Sequence, residues 1–380
     1  MKVMIAVTHL LGTGHLSRAL TLGRAFAKAG HAVTVLSGGM PAPQLDRTGL
    51  SLVQLPPLRS DGTDFTRLLT ESDQPADPDY LAQRASMLAD AVQSGQPDIL
   101  MTELFPFGRR SLSAEFLALL SAAKDLPTRP VVLSSIRDIL APPSKPAKAE
   151  RADEIVAEFF DGVLVHSDPQ VTPLGVSWPV SERLESRLHY TGFVAPPAPL
   201  PHRDGIGKGE VLVSAGGGSV GQPIFRAAIE AARKMPDSRW RLLVGGGDAQ
   251  TRMEELRSLA QGWPITIEPV RPDFRNMLPL AGASVSMCGY NTAMDLLQAG
   301  TPGVLIPFDD GKEVEQTLRA RSLAHLPAMR LLSSAELTGD ALARSVAAVM
   351  DQGRRTPASK GFDGAHRTVE IALQLREARG

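Results

Sequence analysis

Along this chain, short runs of Val, Ile and Leu alternate with longer stretches in which apolar residues recur at one-face helical spacing. The runs "KVMIAV", "HAVTVLSG", "LSLVQL", "PDILMTE", "RPVVLSSI" and "DGVLVHSD" predict strands in the first half. After the first strand, Leu16, Leu20, Gly23 and Ala27 mark one face of a helix. A second series follows with "EVLVSAGGG", "WRLLVGGG", "ITIEPV", "ASVSMCG" and "PGVLIPF". The alternation predicts an α/β protein with parallel sheets wrapped by helices. A proline-rich linker at 196–206 separates two doubly wound domains, 1–195 and 207–360. The break "TPASKGFDG" precedes an amphipathic helix in 361–380, expected to pack back towards the first domain. Ligands of such sheets bind beyond the carboxyl ends of the strands, here in a cleft between the two domains.

Composition narrows the function classes. The 380 residues hold 40 Lys and Arg against 41 Asp and Glu, so nothing favours nucleic acid as a partner. The single cysteine, Cys288, excludes an internal disulfide and fits a reducing compartment. "VMIAV" is too short for the apolar core of a signal peptide. No run approaches the roughly 18 apolar residues of a membrane span. The expectation is a cytoplasmic protein, with a peripheral contact at the inner face of the membrane left open. Arg109, Arg110, Lys145 and Lys148 are equally suited to anionic headgroups and to plain solvation.

The candidate chemistry begins at "THLLGTGHLSR". A glycine turn follows a strand and opens a helix, as a dinucleotide fingerprint requires. Ser17 stands where that fingerprint has its third glycine, and the second strand ends "VLSGG" without the ribose-binding acid. His15 therefore draws the attention. At the first turn of a helix its imidazole is held neutral by the positive helix terminus, and neutral imidazole is a general base. A carboxylate commonly orients such a base. Three acids lie at neighbouring strand ends: Glu103, Asp138 and Asp168, with Arg137 beside the second. The plainer alternative is a histidine bonded to a loop carbonyl and acids that cap turns.

The second domain offers glycine turns that suit phosphate. "SAGGGSVG" places Gly217, Gly218 and Ser219 between a strand and a helix, where bare N–H groups and a hydroxyl cradle a diphosphate. "CGYNTAMDLLQAGTPGVLIPF" has Gly289 at a strand end, and Asn291 or Thr292 as helix cap. Asp295, one turn in, can accept ribose hydroxyls or close a capping box with Thr292. Glu315 and Gln316 open the next helix and suit sugar hydroxyls. Arg319, one turn later, suits diphosphate charge or a solvated face. The "DPD" at 77–79 matches an acidic metal motif but lies in a Pro/Asp-rich loop.

Taken together, "GTGH", "GGGS" and "CGYNTAMDLLQAGTPGVLIPF" followed by "EQTLRA" resemble GT-B-fold glycosyltransferases of the MurG type, family 28. The resemblance implies two Rossmann-like domains facing a cleft and a nucleotide diphosphate sugar donor, UDP-linked in most members. It implies an acceptor hydroxyl or amine on a lipid-linked or glycan acceptor, inversion at the anomeric carbon, and no metal or other cofactor. By the same resemblance Asp295 holds the ribose, where the family has Glu. Gly217, Gly218 and Ser219 match the turn that meets diphosphate, and His15 matches the acceptor base; from the residues themselves, Gly14, Gly289, Asn291 and Thr292 are added around the donor and Glu103 or Asp138 behind His15. Of the family's glutamine pair only Gln316 is kept. Glu315 replaces the first and Arg319 the nearby asparagine, which puts the donor sugar in question. "GTGHLSR" is also similar to nucleotide-sugar hydrolases of this fold, which use water as acceptor. A non-catalytic sugar-nucleotide-binding protein is the alternative from another class.

Overall fold

The structure, a computed structural model, describes residues 1–10, 13–60, 67–215, 221–246, 248–308, 314–358 and 360–379. It divides into two compact units, Met1–Val194 with Gly361–Gly380, and Ala195–Lys360. The strands of the first unit are β1 (Lys2–Val7), β2 (Ala32–Gly39), β3 (Ser51–Ser60), β4 (Leu68–Leu69), β5 (Ile99–Glu103), β6 (Val131–Arg137), β7 (Gly162–His166) and β8 (Leu188–Tyr190). They form one sheet in the order β4-β3-β2-β1-β5-β6-β7-β8, parallel except where β4 pairs with β3. Its helices are α1 (Gly14–Lys28), α2 (Pro78–Gly95), α3 (Ser113–Lys124), α4 (Pro146–Phe159) and α5 (Glu182–Glu185).

The second unit has β9 (Val211–Ser214), β10 (Trp240–Val244), β11 (Ile265–Pro269), β12 (Ala283–Ser286), β13 (Gly303–Leu305) and β14 (Met329–Leu331). All are parallel, in the order β11-β10-β9-β12-β13-β14. Its helices are α6 (Gln222–Lys234), α7 (Ala249–Leu259), α8 (Phe274–Met277), α9 (Tyr290–Ala299), α10 (Glu315–Leu323) and α11 (Gly339–Asp351). The last helix, α12 (Gly364–Glu377), belongs to the first unit and packs on α1.

Central strands bury both faces, because helices cover both sides of a parallel sheet. In the first unit Val3, Ile5, Met101, Leu133 and Leu164 share one core with Leu16, Leu20 and Phe26 of α1 and Val369 and Ile371 of α12. The alternate residues Met4, Leu100, Val132 and Val163 pack on the other side with Leu88 of α2, Phe116 of α3 and Val156 of α4. Successive strands add first to one side of the opening strand and then to the other. The order reverses between β1 and β5 in the first unit and between β9 and β12 in the second. The carboxyl ends flanking these reversals are where such sheets bind ligands.

Two devices fix the first unit. Arg84 of α2, fully buried, donates to both oxygens of Glu115 of α3 at 2.9 Å and to the Gly38 carbonyl at 3.0 Å. Gly38 must be glycine, since a Cβ would lie 2.3 Å from the Thr8 hydroxyl. The second device ties the passages by which the chain leaves and re-enters the unit. Phe193 N–H donates to Gly361 O at 2.6 Å, Gly364 N–H to Phe193 O at 3.1 Å, and Val194 bridges Asp363. Arg84→Ala is expected to cost about 3–5 kcal/mol, because it leaves the Glu115 carboxylate buried without its partner. Urea unfolding measures it; a loss under 1 kcal/mol would show that the pair does not anchor α2 to α3.

Candidate active site

His15 sits in the first turn of α1, directly after β1, and Glu103 is the last residue of β5, the neighbouring strand. The pair therefore stands at the order reversal of the first sheet. Its Nδ1 lies 2.8 Å from Glu103 Oε1. An ionised carboxylate only accepts, so Nδ1 carries the hydrogen and Nε2 keeps its lone pair. The 3.2 Å approach of the Arg18 guanidinium to the same Nδ1 is then a close contact rather than a bond. Arg18 spends its charge on Glu103, reaching Oε1 with its terminal nitrogen and Oε2 with Nε at 3.4 Å. Ser135 Oγ donates to Oε2 at 2.7 Å. Glu103 is 1% exposed, and its oxygens are fully occupied.

Electrostatics follow from this packing. Burial pushes the His15 imidazole down to about 3, against the pull of Glu103 in the opposite sense. Burial alone would raise the Glu103 carboxyl, but Arg18 and the His15 hydrogen bond hold it well below the usual carboxylate range. Arg109 donates to the Thr8 carbonyl at 2.6 Å, and burial pushes its guanidinium down to about 10. The result is a neutral imidazole whose side chain is still 15% exposed, backed by a fixed anion.

Of the three acids, Glu103 alone is bonded to His15; neither Asp138 nor Asp168 is among its partners. Asp138 is fully buried beyond the end of β6. Asp168 closes its own turn, accepting from Gln170 N–H at 2.9 Å. Gly14 is exposed beside His15 and belongs to the first unit, whereas the other donor candidates belong to the second, and a Cβ on Gly14 would meet nothing within 4 Å. The Asp77-Pro78-Asp79 run is a helix start: Asp77 caps α2 by accepting from Tyr80 N–H at 2.7 Å. Among the described residues no group of three His, Cys, Asp or Glu is placed to share a metal ion.

In the second unit Gly289 is the N-cap of α9, two residues earlier than the expected Asn291 and three earlier than Thr292. Those two lie in the first turn instead, which rules out the capping box with Asp295. No side chain caps the helix, and Gly289 has open space where a Cβ would stand. Asp295 is 7% exposed; burial raises its carboxyl while Arg275 opposes, donating from Nε to Oδ1 at 2.5 Å. Arg275 also holds Pro197 O at 3.0 Å, and Gln298 holds Pro196 O at 2.9 Å.

Arg319 departs from the expectation of a guanidinium facing diphosphate. It is 1% exposed and donates to Cys288 O at 3.0 Å and to Glu315 Oε1 at 2.8 Å. It thereby ties α10 to the turn that opens α9, and lies 5.7 Å from the Tyr290 ring. Glu315 gives its Oε1 to the same pair. Gln316 accepts from Phe308 N–H at 3.2 Å through Oε1, which leaves its amide NH2 for a ligand. Gly217, Gly218 and Ser219 lie outside the described residues.

Comparison with known proteins gives this geometry a context. Residues 212–371 match the Glycosyltransferase family 28 C-terminal domain. The chain has the GT-B fold of known glycosyltransferases. Over 188 residues it is 29% identical to the UDP-N-acetylglucosamine--N-acetylmuramyl-(pentapeptide) pyrophosphoryl-undecaprenol N-acetylglucosamine transferase of Rhodospirillum centenum, covering 46% of this chain and 48% of that one. The chain thus spans about half the length of that curated relative. Acinetobacter baumannii MurG matches 99% of this chain and 95% of its own, with a TM-score of 0.62 at 16% identity. A UDP-glucosyltransferase from Polygonum tinctorium matches with a TM-score of 0.65 at 15% identity, over 99% of this chain and 98% of its own. These likenesses at low identity establish the fold.

Sequence reasoning missed Ser135, His166 and Thr191, which stand behind Glu103. The signal was present: Ile99-Met101-Glu103, Val131-Leu133-Ser135 and Gly162-Leu164-His166 each follow one strand face to a polar end.

Two buried neutral imidazoles make stability depend on pH. His15 and His166 are both pushed down to about 3 by burial, while an unfolded histidine titrates near 6.5. Below 6.5 the unfolded chain therefore binds more protons, and stability falls as pH drops, by up to about 1.4 kcal/mol per pH unit for each imidazole. The loss is expected between pH 6.5 and 3, on top of that from Glu103 below the carboxylate range. Urea unfolding at pH 7.5 and 5.5 measures it, and His15→Gln should flatten the difference. An equal slope in that variant would show that His15 is protonated alike in both states.

Proposed function

We propose that this protein transfers a sugar from a nucleotide diphosphate sugar, UDP-linked, to an acceptor hydroxyl or amine. The observation that carries the reading is the 2.8 Å contact of His15 Nδ1 with Glu103 at the sheet's order reversal, which leaves Nε2 as base. The match of residues 212–371 to a glycosyltransferase C-terminal domain supports a donor in the second unit.

In the proposed reaction Nε2 of His15 takes the acceptor proton as the acceptor atom bonds to the anomeric carbon. The bond from that carbon to the diphosphate oxygen breaks, and the pair of electrons leaves with UDP. Attack opposite the leaving group inverts the centre. Glu103 does not take the proton; its charge stabilises the imidazolium that forms. The leaving diphosphate is neutralised by backbone N–H groups at the start of α9, as at other helix N-termini, without a metal ion. Asp295 accepts ribose hydroxyls through Oδ2, the oxygen Arg275 does not use.

The curated relative's name specifies an N-acetylglucosamine donor and a pyrophosphoryl-undecaprenol acceptor. UDP-N-acetylglucosamine is therefore the first donor to test, with Glu315 as the position expected to change the choice of sugar. A lipid-linked acceptor also suits the first unit. There Arg110, Lys145, Lys148 and Arg151 rim a cavity of about 280 Å³ floored by Phe105, Pro106 and Ile155, basic charge beside apolar surface that suits an anionic membrane face. No described helix is long and apolar enough to cross a membrane.

A thermal-shift screen of nucleotide sugars tests the donor, since a ligand of the folded state raises the melting temperature. His15→Ala is expected to lower turnover about 10²–10⁴-fold while UDP still binds. Asp295→Ala should weaken UDP binding and spare the base. Full turnover in the first variant, or an unchanged UDP Kd in the second, would remove the corresponding role. UDP-sugar consumption at full rate without any acceptor would make the protein a hydrolase instead.

A further inference from the structure

The hydrogen-bonded network does not stop at Glu103. Ser135 Oγ, which donates to Glu103 Oε2, lies 2.9 Å from His166 Nε2, and His166 Nδ1 lies 2.9 Å from Thr191 Oγ1. Ser135 and His166 are wholly buried and Thr191 is 3% exposed. Sheet register explains the alignment. Glu103 pairs with Ser135, Ser135 with Leu164 two residues before His166, and Val165 with Tyr190, so that Thr191 falls beside His166. All point to the face covered by α1 and α12. On that face each strand is apolar until its carboxyl end, where a polar residue takes over. Packing alone would favour continued Leu and Val, since a buried polar chain stabilises only when every member is bonded.

The hydrogens can be placed. Ser135 gives its hydrogen to the Glu103 carboxylate, so it must accept one from His166 Nε2–H, and His166 Nδ1 then accepts from Thr191. Thr191 Oγ1 has a competing acceptor, Gly192 O at 2.8 Å. When Thr191 donates to Gly192 instead, His166 carries its hydrogen on Nδ1 and Ser135 turns towards Nε2, which strips a donor from Glu103. Gly192 lies at the meeting of the unit's two chain passages, where a Cβ on Gly364 would be 2.5 Å from Gly192 O.

We propose that Ser135, His166 and Thr191 are positioning residues for the His15–Glu103 pair, a buried chain that fixes the orientation and charge of Glu103 and hence the proton on His15. The role rests on the reading of His15 as the base. The other charges facing this chain are Arg18 from α1, Arg109 from the segment after β5, and Arg137 from β6.

The test uses the full chain and the near-isosteric variants Ser135→Ala and Thr191→Val, observed first without ligand through the ¹⁵N resonances of the imidazole rings at neutral pH. The proposal expects Ser135→Ala to move the His15 ring resonances, and Thr191→Val to move those of His166 and, more weakly, of His15. With the nucleotide sugar that binds tightest in the screen, Ser135→Ala should lower kcat roughly 10-fold with KM unchanged. The acid limb of kcat should move to higher pH, because a Glu103 without its serine donor favours the imidazolium. The double variant should be no worse than Ser135→Ala, since the chain is already cut. Thr191→Val carries the test should Ser135→Ala fail to fold. Unchanged His15 resonances, or additive losses in kcat, would overturn the proposal. Moved resonances with wild-type kcat would leave the chain standing and overturn the base assignment.

Discussion

The site in the first unit depends on keeping one carboxylate ionised where water is excluded. Glu103 is buried, and a lone anion there would take up a proton. Arg18 prevents this from three residues along the same helix as His15, so one element supplies both the imidazole and the charge that keeps its partner anionic. That spacing is a constraint on α1. Its apolar face, Leu16, Leu20 and Phe26, sets the helix on the sheet, and positions in its first two turns then bring His15 and Arg18 to the end of β5.

Much of this was legible in the sequence. The alternation of apolar runs and helical spacing described the α/β class, because a parallel sheet covered on both faces leaves a strong apolar signal. The edge strands β4 and β8 were not legible: the first has two residues and the second, Leu188–Tyr190, is only half-buried and sits beside a proline-rich segment. His15 stood out because an imidazole at a glycine turn has no phosphate role. Choosing Glu103 over Asp138 needed the sheet order, since all three acids end strands or follow them and, of those three strands, only β5 adjoins β1.

Charged residues of the second unit were read less well, for a physical reason. Arg319 and Glu315 look like a solvated helix pair at spacing four, yet α10 lies against the turn at Cys288 and the guanidinium is buried there. Sequence spacing shows which residues share a helix face but not what that face meets. Arg319 stays near the start of α9, so a positive charge remains beneath the helix terminus even though the side chain is spent on protein groups.

The carboxylates of the two units differ in how completely they are bonded, and the roles proposed for them follow that difference. Glu103 receives His15, Arg18 and Ser135 across both oxygens and has no lone pair left for a ligand, so it can act only through His15. Asp295 receives Arg275 on one oxygen and keeps the other open, in surroundings that already disfavour its charge. In the role proposed for it, a ribose hydroxyl donated to Oδ2 would relieve that cost. Arg275 and Gln298 fasten the same site to Pro197 and Pro196, just past the end of the first unit, while Thr191 and Gly192 lie just before it. Each candidate site is thus bonded, inside its own unit, to the stretch of chain that leads to the other.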